Sequence, residues 1–486
     1  MATGVDSSNP SSYELEVLTI VNNEGDGFDI RDLLVECNIY EAIDQNFLMG
    51  ELIIGDSINL LENAKLFGQE SLRIRFKQPS GVDDETEEED LIDQIFRIYK
   101  ISNVKRIDES SQIYQLSFCA PQFLQSRRTR VSQALRGSMT DIAALLGEDH
   151  LGIANEVKDK KLEAFFEVRE KSQGDNYHVV IPNWSVNYTM NWLCAQAQGL
   201  DSSSGLQDSF FFYQTANGGF RIQSLDSMMK VDYAGGRPFT YSQAAAAENT
   251  KNIPTDASTD VIGSGRRILG YEIGSQADVF QGIVNGLFGS KQITIDNTYK
   301  FYIEKTYSFL EKFFGGAGQA LDPHPFVRTQ PEITHIGSAA TDGDVSIIGT
   351  EEGKGIGDYP DAYTILTSDS SFINDETDKI VQANHFVHMG AKQFRAAASQ
   401  LLEYYSINCV LSARTDISVG QVINLDIPAA RAGEDEVKPK FYNGKHLITE
   451  VMWNITPNEC NLNIKCIKDS VLSNIETTGI EYGESL

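Results

Sequence analysis

In the stretch SLRIRFK, Leu72, Ile74 and Phe76 alternate with Ser71, Arg73, Arg75 and Lys77. Such a run buries one face only as a strand, because successive side chains on an extended chain point to opposite sides. Similar runs recur between residues 13 and about 120, at LLVECNIY, GELIIGD, QIFRIYKIS and IYQLSFC. Six or so short strands separated by polar turns favour an antiparallel sheet closed into a barrel, since closure leaves no exposed edge. The insert DDETEEED at residues 83–90 is too densely acidic to pack, so it reads as a solvated loop tip, with a cation site as the alternative.

The run NFLMGELIIGDS at residues 46–57 has an echo in DISVGQVINLD at 416–426. Setting Gly50 on Gly420 matches Asn46 with Asp416, Phe47 with Ile417, Met49 with Val419 and Leu52 with Val422. Each side reads as strand, tight turn, strand, with the glycine as the structural turn residue. Further on, YKISNV before YQLSFC resembles HLITEV before LNIKCI, the last strand needing a one-residue shift to keep its core face in phase. Two ordered matches point to an internal duplication. The expected fold class is therefore α+β: two small antiparallel β-barrel domains related by duplication, with inserted helical and α+β domains. A chain carrying one module twice can form a trimer that presents six similar units, so three subunits can meet a sixfold partner.

From Pro121 the pattern changes. PQFLQSRRTRVSQALRG and MTDIAALLGE have helical spacing, with Thr140 as N-cap and Gly147 as stop. In IPNWSVNYTMNWLCAQAQGL, Ser185 caps a helix whose Tyr188, Trp192 and Ala195 form one packing stripe. SFFFYQ, TANGG and FRIQSL read as a hairpin. The segment 241–265 reads as a long surface connection. ILGYEIG is a strand, SQADVFQGIVNGLFG a helix with Ser275 and Asp278 in capping-box-like spacing and Gly289 at its exit, and YKFYIEKTYSF a strand. Glycine and acidic residues dominate from Gly315 to about Pro360, which suggests an exposed arm. A long helix from Asp378 leads into the closing strands SINCVLSA, GQVINLDI, KHLITEVMWNI and CNLNIKCI.

The 486 residues carry 69 Asp and Glu against 40 Lys and Arg, a formal charge of −29, which disfavours a sequence-reading nucleic-acid binder. Solubility accounts for such a surface; so does a passage that DNA crosses without sticking. There is no apolar run of 18 residues and no secretory signal pattern at the start, so assembly in a cytoplasm and no membrane insertion are expected. The six scattered cysteines read as buried free thiols.

The order of barrel, helical segment IPNWSVNYTMNWLCAQA, exposed insertions, helix and strands AKQFRAAASQLLEYYSINCVLSARTDISVGQVINL, and closing FYNGKHLITEVMWNI resembles the central baseplate hub protein of contractile-tailed bacteriophages. The resemblance covers most of the chain and rests on pattern and order; the insertions at about 241–265 and 315–375 depart from it. It implies a homotrimer in the virion's tail baseplate, assembled in the host cytoplasm. It also implies that paired barrels adapt a threefold central spike protein to the sixfold tail tube and leave a channel for DNA in transit. Tube-initiator proteins, baseplate wedge proteins and the tape measure protein are the further partners implied. On this basis the chain divides into a first barrel at 11–120, a helical or α+β domain at 121–205, and a hairpin at 206–240 contributing to the second barrel. An inserted α+β domain with acidic and glycine-rich arms follows at 241–380, then a long helix and second-barrel strands at 381–470 and a tail at 471–486.

No catalytic motif is present: no phosphate-binding glycine loop, no serine elbow, no paired CxxC and no HExxH. His385 and His388, at i and i+3, read as a packed or surface pair rather than metal ligands. The expectation is a non-enzyme with no catalytic residue, cofactor or metal; Gly50 and Gly420 are the residues singled out, as turn glycines. A wall-degrading tail enzyme and a host-receptor-binding tail module remain as alternatives.

Overall fold

Residues 14–119 supply seven strands, β1 (Glu14–Val21), β2 (Gly27–Asp29), β3 (Leu34–Ala42), β4 (Met49–Asp56), β5 (Ser71–Lys77), β6 (Leu91–Arg106) and β7 (Gln112–Cys119). They pair antiparallel in the order β2-β1-β5-β6-β7-β4-β3, and a short helix α1 (Leu60–Asn63) lies between β4 and β5. The computed structural model describes residues 11–77 and 91–153, most of 166–230, residues 239–241, most of 267–308, short stretches at 321–325, 362–367 and 372–374, most of 393–427, and residues 442–471. The acidic run at 83–90 and the pair His385 and His388 lie outside the described residues. Alternation sets the faces as expected. Leu72, Ile74 and Phe76 are buried with Phe96 and Phe118, while Arg73 and Arg75 face outward in ion pairs with Asp93 and Glu16.

Helical spacing over 121–137 holds for half that span. The helix α2 (Pro121–Arg128) has proline in its first turn, and at Thr129 the backbone becomes extended. Residues beyond it form the strand β8 (Arg130–Gly137), in which Val131 is buried and Ser132, Ala134 and Arg136 are exposed. The next helix, α3 (Met139–Leu151), is capped by Ser138, whose Oγ accepts from the Asp141 N–H at 3.1 Å; Thr140 sits buried in the first turn. Gly147 is inside this helix, and Gly152 in the left-handed region ends it. After β9 (Phe166–Val168) and β10 (Tyr177–Ser185, paired with β8) comes α4 (Val186–Gln196), capped by Ser185 as expected. Its buried side is Val186, Met190 and Leu193; Tyr188 and Trp192 instead lie against Trp184 of β10, and Tyr188 is 54% exposed.

The hairpin β11 (Phe210–Thr215) and β12 (Gly219–Ser224) forms where expected, but with β9 it makes a separate three-stranded sheet rather than joining the second barrel. Helix α5 (Leu225–Lys230) follows. The end of the 206–240 segment does join the second strand set, as β13 (Phe239–Tyr241), and β14 (Arg267–Gln276), from the region assigned to the insertion, joins it as well. Helix α6 (Val279–Val284) is capped by Asp278 alone, Ser275 being in β14, and its exit glycine is Gly286 with φ +83°. Gly289 opens β15 (Gly289–Asp296), which pairs with β16 (Phe301–Ser308).

Within the arm expected at 315–360, Leu321 and Asp322 are buried, and β17 (His324–Pro325) pairs with the end of the chain described here. β18 (Ala362–Thr367) joins β15, and β19 (Phe372–Asn374) edges β10. Residues 395–401 are helical. The closing strands are β20 (Tyr405–Ser412), β21 (Val422–Asp426), β22 (Gly444–Ile455), β23 (Cys460–Ile467) and β24 (Ser470–Val471), the last being the partner of β17.

β3 pairs antiparallel with β22, from Ala42 opposite Glu450 to Cys37 opposite Ile455. The two strand sets are thus one thirteen-stranded sheet rather than the two separate closed barrels expected. The first set is open, because one edge of β3 is taken by β22 and β2 is outermost at the other end. In the second, pairings run from β22 through β21, β13, β14, β20 and β23 and return to β22.

The two sets share an order. In the first, antiparallel pairs run β3–β4–β7–β6–β5; in the second they run β14–β20–β23–β22–β21, and sequence order is the same in both. The sixth strands differ, since β1 is antiparallel to β5 whereas β13 is parallel to β21. This matches the resemblance of YKISNV and YQLSFC to HLITEV and LNIKCI, but it moves the other half of the repeat by one strand. β4, with Gly50, corresponds to β20, and the counterpart of β21 is β5.

Candidate functional site

The joint between the two strand sets is where residues distant in sequence converge. On its buried face Ile39 lies opposite Trp453 and Cys37 opposite Ile455, and the Trp453 ring meets Phe76 at 5.6 Å. The position opposite Val451 is Glu41, 2% exposed. Its two carboxylate oxygens accept from the backbone N–H groups of Ala216, at 3.0 Å, and Val419, at 2.8 Å. Burial pushes this carboxyl up to about 7, against the lowering effect of those two bonds and of Arg221. One side chain thus fastens the β11–β12 turn and the loop before β21 to the seam.

The same hairpin is held by further bonds from both strand sets. Gln94 Nε2 donates to the Ala216 carbonyl at 2.7 Å, Asn217 Nδ2 donates to the Thr415 carbonyl at 2.9 Å, and the Leu48 N–H donates to Gln214 Oε1 at 3.0 Å. The hairpin is a strap across the joint, which explains why its strands carry so many buried residues without joining either sheet.

On the outer face, cross-strand register lines up Glu51, Asn38, Asn454 and Asn461 across β4, β3, β22 and β23. Asn454 Nδ2 donates to Asn38 Oδ1 and Glu36 Oε1, both at 2.8 Å, and Ser11 Oγ donates to Asn461 Oδ1 at 2.9 Å. Four residues along, Glu450 lies opposite Lys465, and the pair is closed at 2.6 Å. The seam is therefore apolar within and a ladder of amides and carboxylates without.

A second buried polar cluster fixes the far end of the second set. Lys468 Nζ is 2.9 Å from Asp322 Oδ2, with both side chains almost fully buried, and also donates to the Asn443 carbonyl. Asp469 Oδ1 accepts from the Leu321 N–H, and burial raises this carboxyl to about 6. His446 is buried beside Lys468, and burial with that positive charge lowers it to about 3, so it is neutral.

The two glycines play different parts. Gly50 is in β4, not in a turn: a Cβ there would stand 2.3 Å from the Phe118 ring and 2.4 Å from the Asn38 carbonyl oxygen. Gly420 is a turn glycine with φ +77°, and a Cβ on it would stand 2.4 Å from the Tyr213 hydroxyl. Its counterpart is Gly68, with φ +83°, just before β5. Both are followed by glutamine and then an alternating strand, LRIRF or INLDI. That shared Gly-Gln marks β5 and β21 as counterparts, with a one-residue shift between the turn and the core face, since Leu72 and Ile74 are buried on one side and Ile423 and Leu425 on the other. Glu41 had no comparable signal, as it stands alone in YEA.

Among the described residues no group of three His, Cys, Asp or Glu stands close enough to hold a metal, and no helix is long and apolar enough to cross a membrane. All six cysteines are buried and free of disulfides.

No family model matches this chain, and no curated protein matches it. Among solved structures it is similar to the 43 kDa tail protein of prophage MuSo2 from Shewanella oneidensis, at 8% identity over 93% of this chain and 98% of that one, with a TM-score of 0.47. A tail protein from Neisseria meningitidis is similar at 9% identity over 94% and 97%, TM-score 0.44. A type VI secretion system component of E. coli is similar at 9% identity over 94% and 77%, TM-score 0.38.

Proposed function

We propose that this chain is the structural hub of a contractile-tail baseplate, a homotrimer that adapts a threefold central spike to a sixfold tail tube. The observation that carries the reading is the shared strand order of the two sets and their edge-to-edge joining through β3 and β22. Two like modules held rigidly in one chain let three chains present six similar surfaces. Glu41 and the β11–β12 strap support it, because their hydrogen bonds tie the two modules to each other. The amide and carboxylate ladder on the seam's outer face, with Lys465 tied to Glu450, suits a wall that DNA passes without lodging. The spike, tube or tube-initiator, wedge and tape measure proteins are its proposed partners, with no sequence-specific DNA contact and no catalytic role.

Light scattering and electron microscopy at micromolar protein, alone and with a co-expressed spike protein, test this reading. Threefold particles with six similar lobes are expected; monomers under both conditions overturn it. A peptidoglycan turbidity assay is expected to show no clearing, and lysis at low protein concentration would move the chain to the wall-degrading class.

A further inference from the structure

The strand β6 is sixteen residues long, and its two halves have different surroundings. Leu91–Arg97 pairs with β5 on one side, the last register pair being Arg97 opposite Ser71. Past the single bond from the Ile98 N–H to the Glu70 carbonyl, the strand pairs only with β7. Its free edge carries exposed apolar side chains: Tyr99 at 42%, Val104 at 52% and, just beyond the strand, Ile107 at 65%. The turn at Gly68 abuts the Tyr99 backbone, and the adjacent Phe67 is 77% exposed.

Charge on this arm runs against the rest of the chain. Residues 97–136 hold eight Lys and Arg against two Asp and Glu in a chain whose formal charge is −29. Arg97, Lys100 and Lys105 on β6 and Arg128 and Arg130 after it are all exposed. Arg97 is opposite Cys119, and α2 begins two residues later and packs on β6, so the cationic stretch is continuous in space as well as in sequence. The edge is also guarded against strand addition. It has irregular register at Ile98/Lys100 and at Ser102/Lys105, Asn103 has φ +57°, and lysines stand along it.

We propose that the outer half of β6, with Phe67 and the start of β8, is a docking surface for the acidic surface of a second copy of this chain. The copies would meet by side chains rather than by continuing the sheet. Outside residues 97–136 the chain holds 67 Asp and Glu against 32 Lys and Arg, so a second copy is a strongly complementary partner. Exposed aromatic and branched side chains between the cations suit a protein surface better than a phosphate track, which would be cationic and polar throughout. The contact is head-to-tail, the kind that closes into rings. It rests on the proposed trimer only for the number of copies in the ring.

The test is the triple variant Arg97→Glu, Lys100→Glu, Lys105→Glu, with Lys100→Gln, Lys105→Gln as a milder companion. Each is compared with wild type by light scattering at low and high salt, with circular dichroism as the check on folding. Wild type is expected to assemble more weakly at high salt. The triple variant should be folded, weaker in self-association by at least about tenfold, and still able to bind wild type through its intact acidic surface; the milder variant falls between. If wild type and both variants assemble alike, the docking surface is wrong and the hub reading stands. If wild type is monomeric throughout, both fall. If the triple variant loses binding to a short DNA duplex while self-association is unchanged, the surface is a nucleic-acid site and the inference is overturned.

Discussion

The first strand set is filled by Phe76, Phe96, Phe118 and Leu52, and its buried acids Asp56 and Glu70 accept backbone N–H groups of the loop between β4 and β5. The second, with the same strand order, closes beside the buried charges Lys468, Asp322 and Asp469 and the neutral His446. Strand order therefore does not depend on one kind of core. Alternation of apolar residues sets the order in both, while buried charge in the second set fastens a distant segment, 321–325, that the first set lacks.

The largest expected effect separates these two cores. Lys468→Met leaves the Asp322 carboxylate buried without its cation and should cost about 3–5 kcal/mol in denaturant unfolding. Converting Asp322→Asn in the same molecule should recover most of that loss, because a matched apolar or neutral replacement removes the unpaired charge. The first set's Arg73–Asp93 pair is open to solvent on the arginine side, 36% exposed against 10% for the aspartate, so Arg73→Ala should cost only about 1 kcal/mol. Equal losses at the two sites would erase the distinction.

The joint is tested by pH. Glu41 has a folded pKa raised to about 7, above its ordinary value of 4.5, so the folded protein holds the extra proton between those limits. Its contribution is full below about 4.5 and is lost as pH rises through 7. Asp469 acts in the same direction from 3.8 to about 6, whereas His446, lowered from 6.5 to about 3, acts in the opposite one. Wild-type stability alone mixes these slopes. The difference between Glu41→Gln and wild type isolates Glu41, and it should shift in the variant's favour by on the order of 3 kcal/mol between pH 4.5 and 8. A pH-independent difference would mean that Glu41 is not desolvated at the seam.

Gly50→Ala comes next. Its Cβ would press on the Phe118 ring and a backbone oxygen of β3, neither of which can swing away, so a loss of about 2–3 kcal/mol is expected from thermal or denaturant unfolding. This is a packing requirement inside a strand, and it explains why the match of Gly50 to Gly420 misled. Both positions demand glycine, Gly50 for space alone and Gly420 for backbone conformation as well, and a string of letters does not distinguish the two.

Strands were legible because a period of two leaves few other ways to bury Leu72, Ile74 and Phe76, or Ile464 and Leu462. β8 was hidden because the arginines and small residues between Ser126 and Gly137 fit a helical face as well as a strand. The β3–β22 pairing joins residues more than 400 positions apart, and nothing local in YEA or EVMWNI announces it. The strap was legible as a hairpin, but its destination depended on Glu41, Gln94 and Gln214, whose partners are set only by the tertiary fold.

The smallest expected effect decides the register of the duplication. Gly68 and Gly420 both have positive φ before corresponding strands, but near Gly68 the closest atoms to a new Cβ are 3.7 Å away, whereas near Gly420 the Tyr213 hydroxyl is at 2.4 Å. Gly68→Ala should therefore cost only the left-handed backbone strain, about 1 kcal/mol. Gly420→Ala adds displacement of Tyr213, a buried tyrosine of the strap itself, and should cost about 2 kcal/mol. The difference between them, read from unfolding midpoints, belongs to the strap and not to the repeat. Trimming the contact by Tyr213→Phe should bring Gly420→Ala down toward the Gly68 value, as expected of two copies of one turn, only one of which has the hairpin packed on it.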